Sequence, residues 1–245
     1  MQIPSETQIF SEELLVGEIV DLKIEHKAFC GPTKQNISLL NGYTTLLLFV
    51  SGHGTLYADS LTCSISPNSL AIPSNKMDEV TLAVPKNEKL HCLQFTKKLS
   101  PADLEDLKHF PEANKPQLYF TRFEDCEPYT EKIKSPNTIS RTVLPANIVP
   151  RVSLGTVEAK GPDKVGAHKH PMLEQLFLGL AENDIVVHAD NVSTVFKEYA
   201  LLHIPLGSTH WVNVAKNKTM NYMWMDFFLT KKGEEWLKTH QPIKL

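Results

Sequence analysis

The chain has 245 residues, is 42% hydrophobic and 22% charged, and carries a formal net charge of −3. That is enough apolar content for one large all-β domain or two smaller ones, and it leaves no basic footprint for nucleic acid. No run approaches the ~20 apolar residues of a membrane span, and the first residues have neither a basic start nor a long apolar core. The expectation is a cytoplasmic protein without membrane contact, its four widely spaced cysteines (Cys30, Cys63, Cys92 and Cys126) reduced.

Residues 1–14 read as a loose arm, with Ser5 or Ser11 as weak helix caps. From Leu15 the pattern turns β, and Glu18 to Ile24 alternates in part. Tyr43 to Val50 is an apolar run, Ser51-Gly-His-Gly54 a turn, and Thr55 to Ala58 the returning strand of an expected hairpin. Leu61 to Ile65, Leu70 to Pro73, Glu79 to Val84 and Lys89 to Thr96 follow as short strands, the spacing of a sandwich or barrel. Ser100 to Phe110 then predicts a helix, with Ser100 as N-cap, Pro101 at the first position, and Leu104, Leu107 and Phe110 on one stripe. Proline-punctuated residues 117–148 read as a connector, with a strand at Leu118 to Arg122.

A second β series opens at Val152. It passes through the histidine-rich stretch Gly166-Ala-His-Lys-His-Pro-Met-Leu-Glu174. Glu174 to Leu180 and its return Ile185 to Ala189, Val192 to Phe196, Ala200 to Pro205, Trp211 to Ala215 and Met220 to Leu229 are strands. Thr230 to His240 is a final helix anchored by Trp236 and Leu237. The two series align: Ala58-Asp59 falls on Ala189-Asp190, Pro73 on Pro205, and Leu107-Lys108 on Leu237-Lys238. The chain is therefore expected to hold two copies of one fold. The boundaries are 1–116 for the first, 117–148 for the connector and 149–245 for the second.

His168 and His170 are two apart, so on a strand both side chains leave one face. Glu174 reaches that face if the strand bends at Pro171 and resumes, and His210 follows the turn Pro205-Leu-Gly-Ser-Thr. Three imidazoles and a carboxylate suit one divalent transition metal: Fe, Mn, Zn, Ni, Cu or Co. In the alignment His168, His170 and Glu174 fall on Ile37, Leu39 and Tyr43, and His210 on Asp78, so one site is expected, in the second copy. Tyr222 and Trp224, with Asp226 in phase, share a face of the last strand and form a candidate substrate pocket, or ordinary barrel packing. Gln175 alternates away from Glu174 and is left out of the pocket. Trp211 is expected opposite His210, between sheets, and His188 and His203 as satisfied structural histidines.

These residues resemble the cupin superfamily. Its first motif reads here Gly161-x6-His168-Lys-His170-x3-Glu174, closing at Ala181. Its second reads Tyr199-x5-Pro205-Leu-Gly207-Ser-Thr-His210, with Asn213 one place early. The resemblance implies an all-β chain of two tandem jelly-roll (double-stranded β-helix) barrels with short accessory helices, the first degenerate. It also implies that His168, His170, Glu174 and His210 ligate the metal. Two functions follow. One is a metalloenzyme acting on a small polar metabolite, as a dioxygenase, isomerase or hydrolase. The other is a non-catalytic protein that binds or senses a small ligand such as a sugar or organic acid. A homodimer is the expected assembly.

Overall fold

The computed structural model describes residues 8–131 and 134–237, the last two by backbone alone. The chain divides into two units, Met1–Asp125 and Cys126–Leu245.

The first unit runs β1 (Ile9–Leu14), β2 (Leu22–Cys30), β3 (Thr33–Ser38), β4 (Tyr43–Ser51), β5 (Gly54–Ala58), β6 (Leu61–Ile65), β7 (Ser69–Pro73), β8 (Glu79–Val84), β9 (Lys89–Lys98), α1 (Pro101–His109) and β10 (Leu118–Arg122). Its strands form a six-stranded sheet, β1-β2-β9-β4-β7-β10, and a four-stranded sheet, β3-β8-β5-β6. The core between them gathers Phe29, Leu47, Phe49, Leu90 and Cys92 from the larger sheet and Ile37, Leu56, Val80 and Leu82 from the smaller. The alternation of these strands puts one apolar row of each sheet into that space.

The second unit runs β11 (Pro128–Tyr129), β12 (Ile139–Leu144), β13 (Val152–Lys160), β14 (Asp163–Lys169), β15 (Leu173–Gly179), β16 (Asp184–Ala189), β17 (Val192–Lys197), β18 (Leu201–Ile204), β19 (Thr209–Val214), β20 (Thr219–Phe228) and α2 (Lys231–Leu237). Its sheets are β11-β12-β13-β20-β15-β18 and β14-β19-β16-β17. Val157, Phe177, Met220 and Tyr222 from the first meet Val165, Val187, Phe196 and Val212 from the second. The duplication is visible in the topology: β2-β9-β4-β7 corresponds to β13-β20-β15-β18, and β3-β8-β5-β6 to β14-β19-β16-β17. Matching turns repeat backbone conformation too, with φ of 50° at Asp59 and 49° at Asp190, and 68° at Asn87 and 63° at Asn217. Among the described residues no helix is long and apolar enough to cross a membrane. None of the four cysteines stands in a disulfide.

Several expectations are corrected. The arm is in part a strand: Ile9 to Leu14 pairs with β2, half-burying Phe10, Glu12 and Leu14 on alternate positions. The part before residue 8, with Ser5, lies outside the described residues. The connector 117–148 is shared out between the two units. Its β10 adds to β7, while β11 and β12 extend the larger sheet of the second unit beside β13. Short apolar stretches between prolines found open sheet edges there. The expected hairpins at Ser51 to Gly54 and Glu182 to Asp184 are corners instead. The apolar strands β4 and β15 are flanked on both sides, by β9 and β7 and by β20 and β18, so the next strand must join the opposite sheet. The helix at 101–109 forms with the expected cap, Ser100 and Asp103 making a capping box. Its stripe is not a core stripe, however. Leu104 is 42% exposed, and Asp103 is the buried helix side chain, held by Lys97 at 2.9 Å. The final helix is described only to Leu237, and the side chains of Trp236 and Leu237 lie outside the described residues.

Candidate metal centre

Strands β14 and β19 pair with His168 opposite His210. A register shift between Val165 and His168 inserts the small residues Gly166 and Ala167, which turns the end of β14 toward its neighbour. His170 follows just past the strand. The second motif's turn is tied to it: Gly207 takes a φ of 73° and its N–H donates to the His170 carbonyl at 3.2 Å. Thr209 N–H donates to Asp190 Oδ1 at 2.9 Å, fixing the start of β19 one residue before His210.

These ties bring His168, His170 and His210 together, with ligand atoms all within 4.8 Å of one another. Ring centroids lie 4.2 Å apart for His168 and His210 and 4.9 Å for His168 and His170. His210 is 1% exposed and His170 6%. His168 Nδ1 lies 2.7 Å from the Gly166 carbonyl and His210 Nδ1 3.2 Å from the Ser208 carbonyl. A carbonyl only accepts, so both Nδ1 atoms carry the proton and both Nε2 atoms keep the lone pair that a metal needs.

Glu174 does not join them. Successive side chains of β15 leave opposite faces, and Phe177 belongs to the barrel core, 5.9 Å from the His210 ring. Gln175 shares that inner face and Glu174 does not. The Glu174 carboxylate instead meets His203 Nε2 at 3.0 Å. The inner position is thus Gln175, one residue later, because the turn at Pro171-Met172 resumes the strand at Leu173 in the other phase. The Gln175 amide donates to Asp226 Oδ1 at 2.7 Å, and its own Oε1 is buried without a hydrogen-bond partner.

Asp226 was in phase with Tyr222 and Trp224 in the sequence, and it proves to be the charged group of that face. It is 2% exposed, and burial pushes its carboxyl up to about 7, against the Gln175 hydrogen bond and the attraction of Lys134. Lys134 comes from the segment expected to be a connector. Its side chain is 7% exposed, paired with Glu131 at 2.7 Å and donating to Ser140 Oγ at 2.9 Å, and burial lowers its pKa. Nothing in the local sequence marks Lys134 or Glu131, since their burial depends on β12 pairing with β13. Tyr222 is 3% exposed and packs on Phe177 at 4.8 Å, so it is part of the core. Trp224 is half-buried, its indole lying over Gly155, where a Cβ would come within 2.3 Å of the ring. Trp211 does face away from His210, but it stacks on His188 at 4.6 Å and is only half-buried instead of packing between sheets.

The structural match of β3-β8 to β14-β19 puts Ile37 opposite Val80, where the second unit has His168 opposite His210. His210 therefore falls on Val80, not Asp78. Tyr43 and Leu173 begin matching strands, so Gln175 falls on Thr45. The first unit has no imidazole at these positions.

The architecture has solved counterparts. A cupin 2 conserved barrel domain protein from Leptotrichia buccalis superposes with a TM-score of 0.62 at 13% identity, over 93% of this chain and 92% of that one. The chain carries the cupin fold twice. Lactobacillus farciminis oxalate decarboxylase, in a formate complex, gives a TM-score of 0.65 at 12% identity, over 97% and 88% of the two chains. Momordica charantia 7S globulin gives 0.64 at 12%, over 94% and 82%. At these identities the likeness to these proteins is one of fold, which does not fix activity. No protein-family model and no curated protein matches the chain.

The donor set suits a metal. Three imidazoles converge, and the Gln175 carbonyl is a buried acceptor with nothing to accept from.

Proposed function

We propose that the second cupin barrel binds one divalent transition metal (Fe, Mn, Zn, Ni, Cu or Co) through His168, His170 and His210. We further propose that it acts on a small, oxygen-rich, anionic metabolite. The observation that carries this reading is the convergence of three imidazoles whose ligand atoms lie within 4.8 Å of one another, two of them buried. A bound metal would act as a Lewis acid, polarising a substrate carbonyl. Among the described residues no carboxylate joins the histidine cluster, so the cation would keep its charge for a negatively charged ligand. Of the three reaction classes open from the sequence, proton transfer beside a carbonyl (isomerase or epimerase chemistry) is favoured by Asp226. A buried carboxyl that titrates near neutrality can both take and return a proton. Gln175 holds one of its oxygens, and Trp224 forms a half-buried wall on the same face.

The test combines metal analysis with solvent deuterium exchange. The purified chain should hold about one first-row metal, lost in His168→Ala and His210→Ala. Small keto and hydroxy acids should then gain deuterium at the carbon beside the carbonyl, and Asp226→Asn should abolish exchange while keeping the metal. Unchanged metal content in both histidine variants would sink the reading. Ligand binding without exchange would move it to the non-catalytic alternative. Val192 and Val195, 70% and 59% exposed on the edge strand β17, favour a homodimer, which light scattering would read as twice the chain mass.

A further inference from the structure

The first barrel lacks the histidines but has a half-open groove of about 320 Å³, lined by Ser11 of β1, Lys27 and Phe29 of β2, Gln35 and Ile37 of β3, and Gln94 of β9. Clefts of that size are ordinary for small-molecule sites. Lys89 and Thr219 begin matching strands, so Gln94 stands at the place of Trp224, and Glu25 at that of the Gly155 beneath its indole.

Two polar side chains that line the groove have hydrogen-bonding capacity left over. Gln94 is 7% exposed, its amide donates to Thr96 Oγ1 at 3.4 Å, and its Oε1 is buried with no hydrogen-bond partner. A buried carbonyl oxygen calls for a donor. The Lys27 side chain is 21% exposed, and its ammonium reaches Glu25 only at 3.8 Å, beyond hydrogen-bond length. Glu25 is shared with Lys23 at 3.2 Å. Lys27 therefore keeps donors for an anion, while Phe29 and Ile37 supply apolar wall.

We propose that the first barrel is a second, metal-independent binding site for a small hydroxycarboxylic acid. Its carboxylate accepts from Lys27 Nζ, its hydroxyl donates to Gln94 Oε1, and its carbon chain lies against Phe29 and Ile37.

Calorimetric titration of the full chain with gluconate, in the presence of a chelator, tests this. Gluconate should bind at one site per chain, with glucose and hexanoate, each lacking one of the two groups, at least about tenfold weaker. Lys27→Met and Gln94→Leu should each weaken gluconate by about tenfold or more. A His168→Ala/His210→Ala double variant should bind as the parent does, which separates this site from the second barrel. Ser11→Trp, on an exposed edge position that tolerates change, should plug the groove and abolish binding even if Gln94→Leu fails to fold. Unchanged affinity in Lys27→Met and Ser11→Trp, loss in the double histidine variant, or no saturation by about 10 mM gluconate would each overturn the proposal.

Discussion

Replacing Asp226 with Asn should change how stability depends on pH, in a direction the structure sets. Burial raises the Asp226 carboxyl from its ordinary 3.8 to about 7 in the folded chain. Between those values the native state holds a proton that the unfolded state has released, so stability falls as pH rises through the window and levels off above about 7. At about 1.4 kcal/mol per pH unit the whole fall is on the order of 4 kcal/mol. Asn is close in shape, can still accept from Gln175, and does not titrate. His26 and His91 act in the same window with the opposite sign. They lie 3.0 Å apart, and burial lowers both below the usual 6.5. Their contribution rises with pH, and it is common to both proteins. The informative quantity is therefore the difference between Asp226→Asn and parent, from urea unfolding with a chelator at several values between pH 4.5 and 8.5. That difference should grow steadily in favour of the variant up to about pH 7 and then stay flat. A flat difference throughout, or one that grows toward low pH, would refute the buried neutral carboxyl.

Glu174→Gln should leave bound metal unchanged by elemental analysis, since Glu174 pairs with His203, and cost at most about 1 kcal/mol in unfolding. Asn183→Ala should destabilise by about 2–4 kcal/mol in chemical denaturation. Its amide donates to the Phe196 carbonyl and its oxygen accepts from Asn221 N–H, both at 2.9 Å, and both backbone partners would be left unmatched. Tyr199 stands at a φ of 57°, in the left-handed region that favours glycine, so Tyr199→Gly should stabilise the chain by about 0.5–1 kcal/mol and raise the thermal midpoint by a few degrees.

Much of the site was legible because its determinants are local. The two-residue spacing of His168 and His170, the turn before His210 and the paired turns at Asp59 and Asp190 are set by neighbouring residues. Gln175 was misplaced for a reason local pattern cannot overcome. Strand parity has a period of two, so a single residue absorbed in the turn at Pro171-Met172 exchanges the inner and outer faces of everything after it. Glu174, the more obvious ligand, went outward to His203, and Gln175 went inward to Asp226. Lys134 and Glu131 were missed because their burial comes from a sheet edge that only the assembled barrel offers.

Sequence alone thus determined the duplicated β architecture, the copy that holds the imidazoles and the three that converge, since periodicity, turn chemistry and repeat spacing are properties of short stretches. Tertiary structure alone decided that Asp226 is buried beside Gln175 and that the prolines of 117–148 separate strands of two barrels. It alone also shaped the half-open groove beside Gln94. Burial, and with it the shift of a pKa or the shape of a groove, depends on what distant strands place around a side chain.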